Sequence, residues 1–164
     1  MARYKTTSAL NYRCLLEDNR KKVMDLLIRD YTPTDYYNLS CLLAKVYGSH
    51  IGKDTLEEKY ITDEREILVA AIDGDKIVGC VFTEVQEDFI RPRRVMYVTY
   101  VAVDEAYRKL GIGRKLMGRI ENMCIEKDCS AIELTSADFR TGAHAFYESI
   151  GFSKKKTTVF IKEL

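Results

Sequence analysis

The 164-residue sequence contains no tryptophan, two prolines, two histidines and five cysteines. Five is an odd number, no pair of cysteines has C-x-x-C spacing, and His50 and His144 lie far apart in the sequence. A disulfide framework and a zinc site are therefore not expected, and reduced thiols in a cytosolic protein fit better. No cysteine has a neighbouring histidine in sequence to activate it, which disfavours a cysteine nucleophile. We predict no metal centre.

The chain also lacks an excess of charge of either sign. It has 26 Lys and Arg against 25 Asp and Glu, a formal net charge of +1. Binding to nucleic acid or to a membrane surface has no support from bulk electrostatics. No apolar run is long enough to span a bilayer, and the first residues, MARYKTTSALNYRC, lack the apolar core of a secretory signal. We therefore expect a cytoplasmic protein with neither nucleic acid nor membrane as partner.

What is present indicates one globular domain. The sequence is 46% hydrophobic and 31% charged, which is ordinary for a globular protein, and its length suits a single core. Residues 1–22 are polar and charged and are interpreted as an N-terminal extension, with residues 23–164 as the domain.

Periodicity and turn residues predict the order β-α-α-β-β-β-α-β-α-β, a mixed α/β sheet. The predicted strands are 23–31, 66–72, 77–86, 95–103, 130–136 and 152–162, and the predicted helices are 32–47, 54–61, 110–124 and 139–150. Thr32 and Pro33 are typical of a helix start, and Gly48 of a helix end. Asp73-Gly74 predicts a hairpin turn. Phe139 is expected on the buried stripe of the last helix.

The segment 96–117 joins a buried strand to a helix through a turn that contains Gly111 and Gly113. A helix begins with backbone N–H groups that have no partner in the helix, and its dipole is positive there. Glycine lets the backbone approach a ligand, and Arg108, Lys109 and Arg114 add positive charge. The turn can therefore bind a phosphate group, although an ordinary turn with surface basic residues stays open as an alternative. Neither G-x-G-x-x-G nor G-x-x-x-x-G-K-[ST] is present.

Two segments resemble one known family. Residues 102–113 read AVDEAYRKLGIG, which resembles the acyl-CoA-binding motif A-V-x-P-x-x-R-G-x-G-x-G of the GNAT superfamily of N-acyltransferases. Glu105 stands where the family commonly has Pro, and Lys109 where it commonly has Gly. Residues 143–152 read AHAFYESIGF and resemble the A-H-x-F-Y-E-x-x-G-F ending of that family's last helix and strand. The resemblance covers about residues 24–163.

The resemblance implies a GNAT fold in which the fourth predicted strand bulges and splays from the fifth, and an acetyl-CoA-dependent N-acetyltransferase. It implies that CoA contacts the main chain of the strand end, the glycine loop and the start of the last helix. The matching positions are Val101, Ala102, Val103, Arg108, Lys109, Leu110, Gly111, Ile112, Gly113, Arg114 and Arg140. Arg140 stands where the family often has Asn. Since arginine accepts no hydrogen bond, Arg140 could instead bind a CoA phosphate or simply be exposed.

The reaction itself requires proton transfer. A lysine-like amine has a pKa of about 10.4 and must lose a proton before it attacks a thioester, while the leaving thiolate, with a pKa of about 8.5, can take one up. The oxyanion that forms needs a backbone N–H donor. By the resemblance Tyr147 is the general acid and Glu84 the leading candidate for the general base, with a water chain as an equal alternative. Tyr97 and Tyr100 could line the acceptor site, although strand alternation predicts that they lie on opposite faces.

The acceptor is left open as a small-molecule or peptide amine. Its specificity is expected to lie between Tyr47 and Tyr60 and in the turn 87–94. Two other functions remain: a CoA-binding sensor or partner subunit without catalysis, and a nucleotide- or phosphate-binding protein unrelated to CoA. Such folds commonly dimerise, so a homodimer is compatible, but the sequence shows no interface pattern.

Overall fold

The computed structural model describes residues 12–17, 23–62 and 64–164. Contacts divide the chain into two compact units, one that runs to Leu134 and one from Thr135 to Leu164. The two units are described separately below.

The first unit is built on a sheet whose strands follow one another in chain order. The described strands are β1 Tyr12–Glu17, β2 Val23–Asp30, β3 Arg65–Ile72, β4 Lys76–Asp88, β5 Arg93–Val103 and β6 Ala131–Leu134. Neighbouring strands are antiparallel except β5 and β6, which are parallel. A parallel pair needs a long crossover, and here the crossover contains a helix. The predicted mixed α/β sheet is confirmed.

Three helices belong to this unit: α1 Tyr36–Tyr47, α2 Lys53–Lys59 and α3 Ile112–Glu126. A 3₁₀ turn over Pro33–Asp35 leads into α1, because the fixed φ of proline suits a first helical turn. The Asp35 carboxylate accepts hydrogen bonds from the Thr32 backbone N–H at 2.8 Å and from the Thr32 hydroxyl at 2.9 Å. Gly48 ends α1 in the left-handed conformation, with φ 69°.

The helices cover opposite faces of the sheet. On one face, Leu39, Leu42 and Leu43 of α1 and Leu56 of α2 are buried in the same core cluster as Phe82 of β4. On the other face, α3 lies against β4 at Gly79. A Cβ there would come within 3.1 Å of Leu116 Cδ1 and 3.2 Å of Ile112 Cγ2. Glycine at this position therefore lets the first turns of α3 approach the sheet closely.

The second unit contains α4 Thr141–Ser149, followed by residues 152–164 without regular secondary structure. The predicted last strand is therefore wrong. Phe160, in the most apolar part of this segment, is 91% exposed, and no strand partner is assigned to it among the described residues. Phe139 precedes α4 and is 80% exposed, so its predicted place on a buried stripe is also wrong.

The prediction missed one strand. Tyr12–Glu17 pairs with β2 from Tyr12 opposite Ile28 to Glu17 opposite Val23. This segment falls in the predicted N-terminal extension, most of which, residues 1–11 and 18–22, lies outside the described residues. The proposed domain start at residue 23 stays a prediction.

Candidate active site

A β-bulge shifts the pairing of β5 with β4 shortly before the end of β5. Thr83 of β4 lies opposite Val98, whereas Phe82 lies opposite Tyr100, so Thr99 is an extra residue in β5. The predicted bulge in this strand is confirmed. Because the bulge resets the alternation, Tyr100 opposite Phe82 and Tyr97 opposite Glu84 lie on the same face. The prediction that the two tyrosines lie on opposite faces is therefore wrong.

Beyond the bulge, β5 loses one of its two neighbours. β6 pairs with Val95–Val98, while β5 continues to Val103 against β4 alone. Asp104 N–H donates to the Val78 carbonyl at 2.9 Å, so alternate residues of this stretch face β4. Val101 and Val103 consequently direct their backbone N–H and C=O groups toward the edge that β6 leaves open. We call residues 99–103 the open half of β5, and Val95–Val98 the paired half.

Two side chains contact the outward carbonyls of the open half. The Tyr47 hydroxyl donates to the Val101 carbonyl oxygen at 2.7 Å, and Arg108 Nε donates to the Val103 carbonyl oxygen at 3.4 Å. Ala102 between them is buried against the α1 side of the sheet. The open half therefore has outward main-chain groups that a ligand could reach, while Ala102 anchors it in the core.

The loop after β5 turns tightly into α3. Asp104 caps a 3₁₀ turn over Glu105–Tyr107 by accepting from Ala106 N–H at 3.0 Å, and Lys45 lies 2.7 Å from the same carboxylate oxygen. Glu105 fits this turn although the family commonly has proline there. Lys109 adopts φ 65°, in the left-handed region that favours glycine. The loop thus accommodates both Glu105 and Lys109, the latter in a conformation that glycine adopts more easily.

The start of α3 fits a diphosphate. Gly111 has φ 79°, and no heavy atom lies within 4 Å of the position that a Cβ would take. The first N–H groups of the helix, from Ile112 onward, have no acceptor inside the helix and point out at the positive end of its dipole. Arg108 and Arg114 are exposed on either side. Backbone donors, open space and positive charge are what an anionic phosphate needs.

Glu84 forms an ion pair with Arg65. Its Oε2 accepts from Arg65 Nε at 3.1 Å, and the Arg65 guanidinium lies over the Tyr60 ring, 5.9 Å from its centre. From Tyr60 a row of aromatic rings in edge-to-face contact leads to the open half. The centroid distances are 6.1 Å for Tyr60 and Phe82, and 5.7 Å both for Phe82 and Tyr100 and for Tyr100 and Tyr47. These contacts place the candidate base and Tyr100 along one surface.

The other two predicted residues lie in the second unit. Tyr147, on α4, is half-buried, and its ring packs against Phe146 and Phe152 at centroid distances of 5.3 and 5.7 Å. Arg140 directly precedes α4 and is exposed, with its guanidinium 5.9 Å from the centre of the Phe139 ring. The strand end, the glycine loop and Glu84 all lie in the first unit. The roles of these residues stay predictions, as do those of Tyr147 and Arg140.

Other chemistry finds little support within the described residues. Burial raises the pKa of the Cys80 thiol to about 12, and it also raises the pKa values of Cys124 and Cys129. Thiols of raised pKa are poor nucleophiles near neutral pH. Over the same residues, no group of three or more His, Cys, Asp or Glu side chains could hold a metal ion. No helix in the described part of the chain is long and apolar enough to cross a membrane.

A cleft of about 430 Å³ lies at the hairpin between β4 and β5. Its lining is mostly charged and polar and includes Glu87, Arg93, Arg94 and Asp128. At about 3.3 Å per residue, this end of β5 is roughly 25 Å from Val101. The predicted role of the turn 87–94 in acceptor specificity therefore gains no support, since the cleft is far from the open half.

The sequence pattern of the acetyltransferase (GNAT) family matches residues 21–152. The chain belongs to this family. The predicted resemblance is thereby confirmed, and the match includes the strand end, the glycine loop and α4.

Among curated relatives, N-alpha-acetyltransferase 30 of Xenopus laevis is 28% identical over 97 residues, which are 59% of this chain and 35% of that protein. The probable N-acetyltransferase camello of Xenopus tropicalis is 28% identical over 131 residues, 76% of this chain and 56% of that protein. The chain thus spans only about a quarter to a half of the length of the curated relatives it matches.

Solved structures confirm the GNAT acetyltransferase fold. An aminoglycoside acetyltransferase from an uncultured soil metagenomic sample, in complex with sisomicin, has a TM-score of 0.76 at 22% identity, over 85% of this chain and 96% of that chain. The aminoglycoside N-acetyltransferase AAC(6')-Iy in complex with CoA has a TM-score of 0.76 at 17% identity, over 87% and 97%. At these identities the likeness concerns the fold alone.

Sequence reasoning missed three features of this site. A bulge was predicted in this strand but its position at Thr99 was not, because no glycine or proline marks it, and the bond from Tyr47 to Val101 joins residues 54 apart in sequence. The Arg65 partner of Glu84 could not be found from the Asp-Gly hairpin either, because a register shift between Ala70 and Ala71 moves this pairing by one residue.

Proposed function

We propose that this chain is an acetyl-CoA-dependent N-acetyltransferase that transfers the acetyl group directly to a primary amine. The observation that carries the proposal is the combination of the open half of β5 with the left-handed glycine at the start of α3. Together they offer outward main-chain groups followed by a phosphate-binding helix start. Membership of the GNAT family and the CoA complex of a related fold add to this argument.

Different residues fit the diphosphate and the amide-containing arm of CoA. The N–H groups that begin α3, with Arg108 and Arg114 beside them, would hold the diphosphate. The outward N–H and C=O groups of Val101 and Val103 would bind the amide-containing arm in the manner of an added strand. Acetyl-CoA supplies the acetyl group in the activated form of a thioester. The protein aligns that group with the amine and moves the protons.

For the protons, Glu84 is the proposed acceptor from the incoming amine and Tyr147 the proposed donor to the departing thiolate. Glu84 shares its face with Tyr97 and Tyr100 but is also paired with Arg65. Proton uptake at Glu84 would therefore weaken an existing ion pair. If the assignments hold, Tyr147→Phe and Glu84→Gln lower kcat while the affinity for CoA stays the same, since neither residue belongs to the proposed CoA site.

The surface beside Glu84 favours an amine on an apolar or peptide body over a polycation. It is formed by Tyr60, Tyr100 and Tyr47 around the buried ring of Phe82, and its carboxylate is already balanced by Arg65. Aromatic rings attract a single ammonium group, whereas a polycation would gain most from several unbalanced carboxylates. We therefore propose peptide N-termini and apolar amines as the first acceptors to test, with aminoglycosides as the contrasting class.

Calorimetric titration with CoA, acetyl-CoA, ATP and NAD tests the proposal. We expect micromolar binding of CoA and acetyl-CoA but not of ATP or NAD. Gly111→Glu should weaken CoA binding by a factor of about 30 or more, because a carboxylate there repels the phosphates and the side chain is strained at positive φ. Gly118→Glu is the matched control, since it makes the same change in α3 where a Cβ meets no other group within 4 Å.

Thiol release in the presence of an amine then separates the enzyme from a binding protein. CoA binding without turnover on any amine would support the sensor function instead. A folded protein that does not bind CoA would contradict both.

A further inference from the structure

Tyr47 ties the end of α1 to the open half of β5. Its hydroxyl donates to the Val101 carbonyl oxygen at 2.7 Å. That oxygen is one of the outward main-chain acceptors of the open half, and a peptide-like arm of CoA would need it for its amide N–H groups. A backbone carbonyl oxygen can accept two hydrogen bonds, and the Tyr47 hydroxyl already occupies one of these two acceptor positions at Val101.

The Tyr47 ring belongs to the acceptor surface as well. It meets Tyr100 edge to face, with centroids 5.7 Å apart, and Tyr100 in turn meets Phe82 at the same distance. Tyr100 is 42% exposed and is the most accessible ring of this row. A movement of Tyr47 therefore changes the surface on which the amine would bind.

The surroundings of Tyr47 hold the end of α1 in place, so that only its side chain would move. Lys45, two residues earlier, pairs with Asp104 in the loop that leads to the phosphate site. This ion pair keeps the helix beside β5 when the Tyr47 bond opens. Gly48 directly follows at φ 69° and ends the helix, so the tyrosine is in the last helical position.

We propose that Tyr47 is a positioning residue that occupies the Val101 carbonyl before CoA binds and gives it up when CoA binds. The inference rests on the proposed function. Released from Val101, the hydroxyl turns toward the acceptor surface beside the ring of Tyr100.

The first test is the affinity for CoA of Tyr47→Phe, measured by calorimetry. The variant keeps the ring and removes only the competing donor. Since a net hydrogen bond changes an equilibrium constant by roughly 3- to 10-fold, CoA should bind about 3- to 10-fold more tightly. Tyr37→Phe is the matched control, because Tyr37 lies on the same helix and is 74% exposed. Urea unfolding of both variants checks that they are folded.

Steady-state kinetics give a second readout. In Tyr47→Phe the KM for acetyl-CoA should fall and the KM for the amine should rise, with a smaller change in kcat. Incorporation of 3-fluorotyrosine gives a third readout, which does not depend on enzyme activity. The ¹⁹F resonance that is missing in Tyr47→Phe should shift when CoA is added to the otherwise unmodified chain, whereas the Tyr37 resonance should not.

The outcomes separate this inference from the proposed function. If the unmodified protein binds CoA but Tyr47→Phe binds it equally or more weakly, or if the Tyr47 resonance does not respond to CoA, the inference is wrong and the acetyltransferase proposal stands. If the unmodified protein is folded and does not bind CoA, the proposed function is wrong and the inference falls with it.

Discussion

The two halves of β5 differ in what surrounds their main chain. Val95–Val98 is hydrogen-bonded to β4 on one side and to β6 on the other, and three of its four side chains are buried. After the bulge at Thr99 the strand has β4 as its only strand neighbour among the described residues. One continuous strand is therefore part of the core in its first half and a candidate binding surface in its second.

The difference between the two halves lets one strand offer a candidate binding surface without weakening the core. An unpaired strand edge invites association with another peptide-like chain. Here the edge is short, and side chains from α1 and from the following loop contact its carbonyls. We infer that the paired half contributes most of the stability of β5. The open half contributes little stability and serves for binding.

The largest predicted effect concerns the helix that covers the open half. Asp35, 3% exposed, anchors the start of α1 through two hydrogen bonds from Arg29 at 2.5 and 2.6 Å. Asp35→Asn should lower the free energy of unfolding by about 3 kcal/mol, because it leaves a partly buried Arg29 without its ion partner. Urea unfolding measures the loss, and Asp138→Asn, at an exposed position, is the control.

The same anchor predicts a pH dependence. Burial acts to raise the pKa of Asp35, but hydrogen bonds from Arg29 and Thr32 outweigh it and lower the pKa below its ordinary value. The ionised carboxylate therefore contributes stability above about pH 4, and this stability is lost as the pH falls further through the lowered pKa. Asp35→Asn should unfold with a flatter dependence on acid pH. If the stability of the variant fell with decreasing pH as steeply as that of the unmodified protein, this role of Asp35 would be contradicted.

A matched pair of truncations tests the comparison within β5 itself. Val98, in the paired half, is 3% exposed, whereas Val101, in the open half, is only half-buried. Val98→Ala should cost about 2 kcal/mol, the transfer of two methyl groups plus a cavity, and Val101→Ala about 1 kcal/mol or less. Neither should change CoA affinity much, since the proposed contacts are to the main chain. Equal losses of stability would show that the two halves do not differ as described.

The smallest effect concerns the loop after the open half. Lys109 has φ 65°, and Lys109→Gly should raise the free energy of unfolding by up to about 1 kcal/mol by removing this strain. Lys109→Ala is the control, because it removes the same charge but keeps a Cβ. If the two variants are equally stable, backbone strain at this position is negligible.

The sequence predicted the elements that a local pattern determines. Thr32, Pro33 and Gly48 marked α1, the Asp-Gly turn marked the hairpin of β3 and β4, and the glycine loop marked the start of α3 within two residues. Each of these signals depends on the backbone preference of one or two residues.

The errors concern what a strand pairs with. Residues 152–162 have the composition of a strand, yet strand formation also needs a partner, and none is assigned to them among the described residues. Conversely, Tyr12–Glu17 alternates weakly and was hidden in a polar segment, but pairs with β2. The position of the bulge at Thr99 could not be predicted, because in an unbroken apolar run every residue suits either face of the sheet.

The most direct test of the difference between the halves is amide hydrogen exchange with and without CoA. We predict that CoA slows exchange in residues 99–114, which include the open half and the start of α3, and leaves the exchange of Val95–Val98 unchanged, since those amides already lie between two strands. Protection at the hairpin cleft around Glu87 and Arg94 instead, with residues 99–114 unaffected, would contradict the account.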